Sequence, residues 1–320
     1  MTAPASTATK VRAPRAPRRP ADKIFSGSTV VAGGLILAVL AAVAIFLVVQ
    51  SIPALVASPD DISLSGFPDS FWQYVGPLAF GTVYAAALAL VMALPVAVGI
   101  ALFISHYAPR RLAAGLGYVI DLLAAVPSVV FGLWGSIVLA PAVQPVYAWM
   151  VDHLGWFPLF AGPVSGTGRT LLTASIVLAV MILPIITALS REVFLQTPTL
   201  HEEAALALGA TRWEMIQVAV LPFGRPGIIS ASMLGLGRAL GETMAVALVL
   251  SPALVVNPAI LTSTNSSTIA ANIALRFPEA HDIGINTLIA TGLVLFVITL
   301  VVNSIARVVI NRRKAFSGAN

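Results

Sequence analysis

Six long stretches with almost no charged residues constrain how this sequence can fold. Five of them contain no Asp, Glu, Lys or Arg, and the sixth, between Arg225 and Arg276, contains Arg238 and Glu242. Each is long enough for the roughly 20 apolar residues that a helix needs to cross a bilayer. We therefore predict an all-α membrane protein with six transmembrane helices. The predicted spans lie near residues 28–50, 74–105, 116–140, 170–190, 226–251 and 286–310.

The amino-acid composition argues against a soluble enzyme and against a disordered chain. Hydrophobic residues make up 58% of the 320 residues and charged residues 10%, whereas soluble domains carry about a quarter charged residues. The sequence has no cysteine, which excludes disulfides and thiolate metal sites. Its four histidines are scattered without metal-ligand spacing. We predict no catalytic residue, metal or cofactor in this chain.

The basic residues predict the orientation of the chain in the membrane. Lys and Arg concentrate in loops on the cytoplasmic side of membrane proteins. With the N-terminus inside, 15 of the 18 Lys and Arg residues fall in inner segments. We therefore predict that both termini are cytoplasmic. The net charge of +5 then reflects topology, and we predict no binding of nucleic acid.

Two cytoplasmic tails are predicted at the ends of the chain. Residues 1–27 are rich in Pro, Ala and Arg, which favours a disordered basic tail, and residues 311–320 form the second tail. The apolar stretch at 28–50 is longer than the 7–15 residues or so of a signal-peptide core. We predict that it is an uncleaved membrane helix in contact with the lipid bilayer.

The inner loop at residues 191–225 carries the signals of two short helices. Thr199 and Glu202, and again Thr211 and Glu214, have the spacing of a capping box. Gly209 stands where the first helix needs a left-handed terminator. The pattern predicts helices near 200–208 and 212–220. From the residues alone, this loop can be a docking surface for another protein or an amphipathic connector along the membrane.

The same loop resembles the motif of the permease subunits of ABC importers. The shared residues, at the family's spacing, are Glu203, Ala204, Ala205, Gly209, Leu221 and Pro222. The sequence departs from the motif at Ala219, where Ile is usual. The resemblance implies a type I importer permease fold with a five-helix core at 74–310. It also implies that the loop is a coupling helix, which docks in a groove of a separate ATPase.

The fifth predicted span contains two ionisable residues at membrane depth. Arg238 lies about halfway along it, and Glu242 follows one helical turn later. An unpaired Arg at that depth costs at least about 2.5–3.5 kcal/mol, so it needs a partner or a watery path. In one interpretation the two residues form a structural ion pair, beside a Gly237/Gly241 packing face. In the other, Arg238 lines the transport path and binds an anion, with Glu242 holding it when the anion is absent.

Two further motifs resemble those of phosphate-specific importer permeases. The segment 237–246, Gly-Arg-Ala-Leu-Gly-Glu-Thr-Met-Ala-Val, is similar to their fifth-helix motif, in the form typical of the PstC-type subunit. The segment 127–135 is similar to a motif of their third span, and Ser128 in it can offer its hydroxyl to the path or to the backbone that Pro127 frees. The resemblance implies a heterodimer with a PstA-like permease, two PstB-like ATPase subunits and an external phosphate-binding protein.

The chain lacks its own means of using ATP. It contains no GxxxxGK[ST] loop, and its three lysines lie near the termini. We therefore expect ATP and Mg²⁺ to bind to the partner ATPase. The alternatives are a permease for sulfate or molybdate and an ion-coupled secondary transporter. The second alternative is disfavoured because few acidic residues lie within the spans.

Overall fold

The computed structural model describes residues 20–58, 68 and 70–314. Predictions for residues 1–19 and 315–320 lie outside this part of the chain. The chain divides into two units, residues 1–49 and residues 50–320. In the first unit, helix α1 (Pro20–Val56) begins eight residues before the predicted span, so residues 20–27 of the predicted tail are helical. Proline is favoured in the first turn of a helix because that turn needs no N–H donor.

The remaining helices and strands follow in chain order. They are α2 (Phe71–Leu102), α3 (Arg110–Ala124), α4 (Ser128–Trp134), α5 (Ala140–Leu154), α6 (Leu171–Leu195), α7 (Thr199–Ala207), α8 (Arg212–Met215), α9 (Leu221–Leu240), α10 (Met244–Val249), β1 (Pro252–Ala253), β2 (Asn265–Ser266), α11 (Ile269–Arg276) and α12 (Ile283–Lys314). The two short strands pair in parallel. Three π-helical turns connect neighbouring helices, at Phe103–Tyr107, Gly135–Leu139 and Ile216–Val220. Short 3₁₀ turns lie at Pro158–Phe160 and Phe277–Glu279.

Six helical stretches of the described chain are long and apolar enough to cross a membrane, which confirms the predicted number. They are Ile24–Val56, Phe71–Tyr107, Ser128–Leu154, Leu171–Leu195, Arg212–Leu240 and Ile283–Val309. The first, second, fourth and sixth stretches overlap the predicted spans closely. The third and fifth differ, for reasons given below.

Helix α6 is the central element of the second unit. It packs against α2, α9 and α3. Its contact with α2 uses alanines repeated every fourth residue, at positions 85, 89, 93, 97 and 101, all of them buried. Residues four apart lie on one face of a helix, and small side chains there let two helices approach closely in a membrane. Leu178, Met181, Ile182 and Ile186 of α6 fill the same core.

The third span is a broken helix rather than a continuous one. Helix α3 ends at Ala124 and α4 begins at Ser128, after Pro127. The conformation of a residue before proline is biased away from the α-helix, which explains the break. The sequence predicts a kink at Pro127, but not a complete break there, nor the helical continuation to Leu154.

Contacts with α6 show which part of the third span lies alongside it. Gly117 meets Arg191, Gly135 meets Val177, and Gly168, just before α6, meets Ala140. These contacts define an antiparallel pair in which residues 117–140 run along the length of α6. The predicted span, 116–140, overlaps this stretch, whereas the helical stretch long and apolar enough to cross a membrane runs from Ser128 to Leu154. Ser128 is the first residue of that stretch.

The fifth span begins and ends earlier than the predicted 226–251. Its helix runs from Arg212 to Leu240, and Gly241 forms the C-cap. The helix packs antiparallel to α6 through glycines: Gly227 meets Val193, and Gly235 meets Ile186 and Ile182. This register places Arg238 level with Met181, near the middle of α6. Arg238 lies in the last turn of its own helix, so the prediction that it lies halfway along its span is wrong.

The outer segment between α10 and α12 is held to the core by polar side chains. The amide of Asn265 accepts from the Leu171 N–H at 3.0 Å and donates to the Ala259 carbonyl at 2.7 Å. The hydroxyl of Thr82 accepts from the Ile269 N–H at 2.9 Å. These bonds satisfy backbone groups at the starts of α6 and α11, which are otherwise left without partners.

We expect the alanine face of α2 to tolerate no larger side chain. Ala89→Leu inserts three carbons between α2 and α6, and overpacking of this kind costs about 1–3 kcal/mol. The matched control is Ala87→Leu, because Ala87 lies on the same helix with an exposed side chain. The measurement is the thermal midpoint of the detergent-purified protein. Equal midpoints for the two variants would contradict the packing described here.

Candidate functional site

The predicted coupling segment forms a short helix between the fourth and fifth spans. Helix α7 ends at Ala207, and Gly209 follows with a φ of +87°. This left-handed conformation confirms the predicted terminator, because glycine adopts it without steric clash. The N–H of Gly209 donates to the Leu206 carbonyl at 3.0 Å, and the N–H of Ala210 donates to the Ala205 carbonyl at 3.2 Å. These bonds satisfy carbonyls of the last turn.

The two predicted capping boxes have different outcomes. At α8 the box is present: the Thr211 hydroxyl accepts from the Glu214 N–H at 3.3 Å, and the Glu214 carboxylate accepts from the Thr211 N–H at 2.7 Å. At α7 the prediction is wrong, because Pro198 occupies the N-cap position and Thr199 is already helical. Glu202 instead faces the second span, with its Oε1 3.4 Å from the Nε2 of His106.

The second short helix predicted at 212–220 does not end at Val220. It continues through the π-helical turn Ile216–Val220 into α9. Leu221 and Pro222 therefore lie inside the helix of the fifth span rather than in a loop. Proline is tolerated here because Pro222 falls in the first turn after the π-helical segment. The described loop between the two spans shortens to residues 196–211.

The outward surface of α7 is exposed and partly apolar. No residue of α7 is buried. Glu203 and Ala204 are exposed, and Ala205 is half-buried against the core cluster of Phe194 and Ile216. Leucines also project from this segment: Leu200 is 72% exposed and Leu208 is 90% exposed. Exposed apolar side chains that lie close together are typical of a protein-binding surface. The sequence analysis did not identify these leucines as part of the site.

The inner side of α7 is tied to the second span. Besides Glu202, His106 contacts the Ser105 hydroxyl, which is 2.7 Å from its Nδ1. A cavity of about 290 Å³ lies between the two elements, with Arg212 and Leu206 in its lining. The coupling segment is thus attached to the π-helical end of the second span and to the start of the fifth.

Arg238 and Glu242 do not form the predicted ion pair. The helix ends between them, at Leu240, so the two residues do not share a helical face. The Oε1 of Glu242 accepts from the Ala245 N–H at 3.0 Å, and this buried carboxylate (8% exposed) thereby caps α10. Among the described residues, ion pairs join His106 to Glu202 and Arg191 to Glu192.

Arg238 instead lines an open cavity between α9 and α12, with a volume of about 660 Å³. Gly237 is also in the lining and has open space around it, whereas Gly235 is the glycine packed against α6. The predicted Gly237/Gly241 packing face is therefore not used within the described chain. The cavity is lined by Ile185, Ser230, Met233, Leu234, Gly237, Arg238, Asn303, Ala306 and Arg307. From the sequence alone, Arg307 counts only as one of the basic residues that predict the orientation of the chain in the membrane.

Ser128 lies apart from this cavity. It is the first residue of α4 and is half-buried. Helix α4 packs against α10, where Gly132 meets Ala245. The structure therefore brings the Ser128 helix against the helix that Glu242 caps, while Arg238 lines a different surface. Of the three predicted path residues, only Arg238 belongs to the lining of this cavity.

Comparison with known proteins places the chain in a family. Residues 93–315 match the family model described as "Binding-protein-dependent transport system inner membrane component". The PstC 2 phosphate transport system permease of Mycobacterium tuberculosis is 45% identical over 319 residues, which cover 97% of this chain and 96% of that protein. The PstC permease of Mesorhizobium japonicum is 40% identical over 310 residues, with 93% and 92% coverage.

Solved structures of ABC importers share the fold. A bacterial alginate ABC transporter, crystallised with an alginate-bound periplasmic protein, aligns with a TM-score of 0.55 at 18% identity, over 90% of this chain and 96% of that one. The methionine transporter MetNI aligns with a TM-score of 0.50 at 19% identity, over 74% and 96%. These likenesses confirm the predicted type I permease fold. The chain belongs to the family of binding-protein-dependent transport system inner membrane components and, within it, to the PstC group of phosphate transport system permeases.

Proposed function

We propose that this protein is the PstC-type permease subunit of an ATP-driven phosphate importer in the bacterial plasma membrane. The observation that carries the proposal is its identity of 40–45% with phosphate permeases over nearly the whole chain. These relatives favour phosphate over sulfate or molybdate. A PstA-like permease completes the pathway, two PstB-like subunits bind ATP and Mg²⁺, and an external binding protein delivers phosphate. Both termini and α7 then face the cytoplasm, in agreement with the distribution of basic residues.

Arg238 is the residue we propose to bind phosphate within the membrane. It lies level with the middle of α6 in an open cavity, and its guanidinium makes no ion pair or side-chain hydrogen bond with a described residue. A guanidinium offers two parallel N–H donors to an oxyanion, which makes it a strong phosphate ligand. Ser128 and Glu242 serve the path from another surface, where α4 packs against α10. The surfaces of the two permeases together then enclose the path.

The exposed surface of α7 is the proposed docking site for the ATPase. Glu203, Ala204, Leu200 and Leu208 form its outward face. Leu221 and Pro222 lie within the fifth span and do not touch the ATPase. They pass the movement of the docked α7 on to the rest of α9.

We expect substitutions of Arg238 to separate charge from geometry. Arg238→Lys keeps the charge but loses the planar two-pronged contact, so phosphate uptake should fall about tenfold, and Arg238→Gln should lower it further. Arg225→Gln is the matched control, since Arg225 lies exposed at the other end of the same helix, outside the cavity. Uptake of inorganic phosphate by cells that lack their own permease gives the measurement. Normal uptake by Arg238→Gln would exclude Arg238 from the path.

Substitutions of Glu242 should reveal a capping role. Glu242→Ala removes the acceptor for the Ala245 N–H, and loss of a cap costs about 1 kcal/mol, so the thermal midpoint should fall. Glu242→Gln keeps an acceptor oxygen and should retain most of the stability. The double variant Arg238→Glu with Glu242→Arg should regain neither stability nor uptake, because the two side chains are not paired. If this variant regained a normal thermal midpoint and normal phosphate uptake, the capping assignment would be refuted.

The terminator Gly209 allows a test of coupling. Gly209→Val forces a β-branched residue into a left-handed conformation that it strongly disfavours, so α7 should lose its position while the protein remains inserted. Gly209→Asn is the control, because asparagine tolerates that conformation. Co-purification of the ATPase subunit and phosphate uptake should both fall in the valine variant and stay near normal in the asparagine variant. Equal behaviour of the two variants would argue against the coupling role.

A further inference from the structure

The cavity that contains Arg238 has a second cation that the proposed function does not yet use. Arg307 and Asn303 line the same cavity from α12. They are four residues apart and therefore lie on one face of that helix. Ser230 also lines the cavity, but its hydroxyl donates to the Pro226 carbonyl at 2.9 Å. Arg238, Asn303 and Arg307 are thus the side chains with donors available to a ligand.

A second cavity shows that α9 and α12 lie side by side near the two arginines. Ile229 and Met233 of α9 share this smaller apolar cavity with Ile305 and Val309 of α12. Arg238 lies five residues beyond Met233, roughly 7–8 Å along the helix axis at 1.5 Å per residue, and Arg307 lies between Ile305 and Val309 in the sequence.

No described residue compensates the charge of the cavity. No carboxylate lines it. Among the described residues, Arg238, Asn303 and Arg307 make no ion pair and no side-chain hydrogen bond. Two guanidinium groups in a cavity with mostly apolar walls attract anions strongly, because the low local dielectric screens their charge weakly. The open volume of about 660 Å³ leaves room for a hydrated oxyanion between them.

We propose that Asn303 and Arg307 form a second oxyanion site, which receives phosphate from Arg238 on its way to the cytoplasm. The inference rests on the proposed function and adds a step to it. The Arg307 guanidinium donates to two phosphate oxygens, and the Asn303 amide donates to a third. Two sites in series let an anion leave the first without being fully rehydrated, and multi-site binding of this kind allows fast conduction. Arg307 is exposed, so the second site releases its anion readily.

A phosphate group can reach this site from two sources. One is the transported ion, and the other is the headgroup of an anionic lipid, because Arg307 lies toward the inner end of its span. Both sources offer the same oxyanion chemistry. The lipid composition of reconstituted vesicles distinguishes them.

The test uses the assembled importer, reconstituted in vesicles of phosphatidylcholine alone or with added phosphatidylglycerol. Asn303→Asp places a carboxylate beside Arg307 while keeping every basic residue, so it should lower ATP-driven uptake of inorganic phosphate about tenfold. Ser304→Asp is the matched control, since it adds the same charge one residue away, outside the cavity lining. Arg307→Gln should lower uptake similarly. Arg307→Lys keeps the charge but loses the two-pronged contact, so its uptake should lie between that of the unchanged importer and that of Arg307→Gln.

The outcomes separate this inference from the proposed function. Loss of uptake in both kinds of vesicle, with normal uptake by Ser304→Asp, supports the second site. Loss confined to vesicles with phosphatidylglycerol would identify a lipid site and overturn the relay. Normal uptake by both Asn303→Asp and Arg307→Gln would also overturn it.

If only the Arg238→Gln importer fails, the second site is refuted and the proposed function stands. If Arg238→Gln also transports normally, the assigned path is wrong. If the Asn303→Asp importer fails to assemble, phosphate uptake by the two Arg307 variants tests the second site instead. Lower uptake by Arg307→Gln than by Arg307→Lys supports the site, and equal uptake refutes it.

Discussion

Close packing of helix α6 against small residues of its neighbours is the contact on which the rest of the structure depends. Lipid is as apolar as a helix surface, so association in a membrane relies on van der Waals contact rather than on the hydrophobic effect. Alanines of α2 and the glycines at 227 and 235 of α9 allow that contact. The same packing sets the register of the third and fifth spans. It thereby places Arg238 level with Met181, near the middle of α6.

Two helix ends follow each other closely here: α9 ends at Leu240 and α10 begins at Met244. The backbone groups at such ends need partners, because irregular backbone survives within a membrane span only where it is buried in protein or lines a watery cavity. At α10 the Glu242 carboxylate supplies one such partner to the Ala245 N–H. Among the described residues, Glu242 makes no ion pair with Arg238. The cap and the free cation are two consequences of one helix break at Gly241, and the break leaves Arg238 available to an anion.

Features that depend on neighbouring residues were predictable from the sequence, and those that depend on distant contacts were not. The six spans, the left-handed Gly209 and the capping box of Thr211 follow from local hydropathy, backbone sterics and spacing. The Thr199 box failed because Pro198 took the cap position and Glu202 found His106, which is 96 residues away. The Arg238–Glu242 pair assumed a continuous helix, and the sequence pattern alone does not show that the helix ends at Leu240. Arg307 reaches the cavity only through the packing of α12 on α9, so charge counting could not assign it to a site.

The continuity of the fifth span links the two sites of this protein. From Arg212 to Leu240 the chain is one helix, about 40 Å long at 1.5 Å per residue. Its first turn is capped by Thr211, next to the coupling segment, and Arg238 lies in its last turn. Helices of this length tilt and rotate as rigid bodies unless a proline or π-helical turn lets them bend. A π-helical turn lies at Ile216–Val220, and Pro222 and Pro226 follow it, all of them nearer to α7 than to Arg238. In the proposed importer, an ATPase that displaces α7 therefore bends the helix in this region, and the segment from residue 227 to Leu240 moves as one body with Arg238 in its last turn.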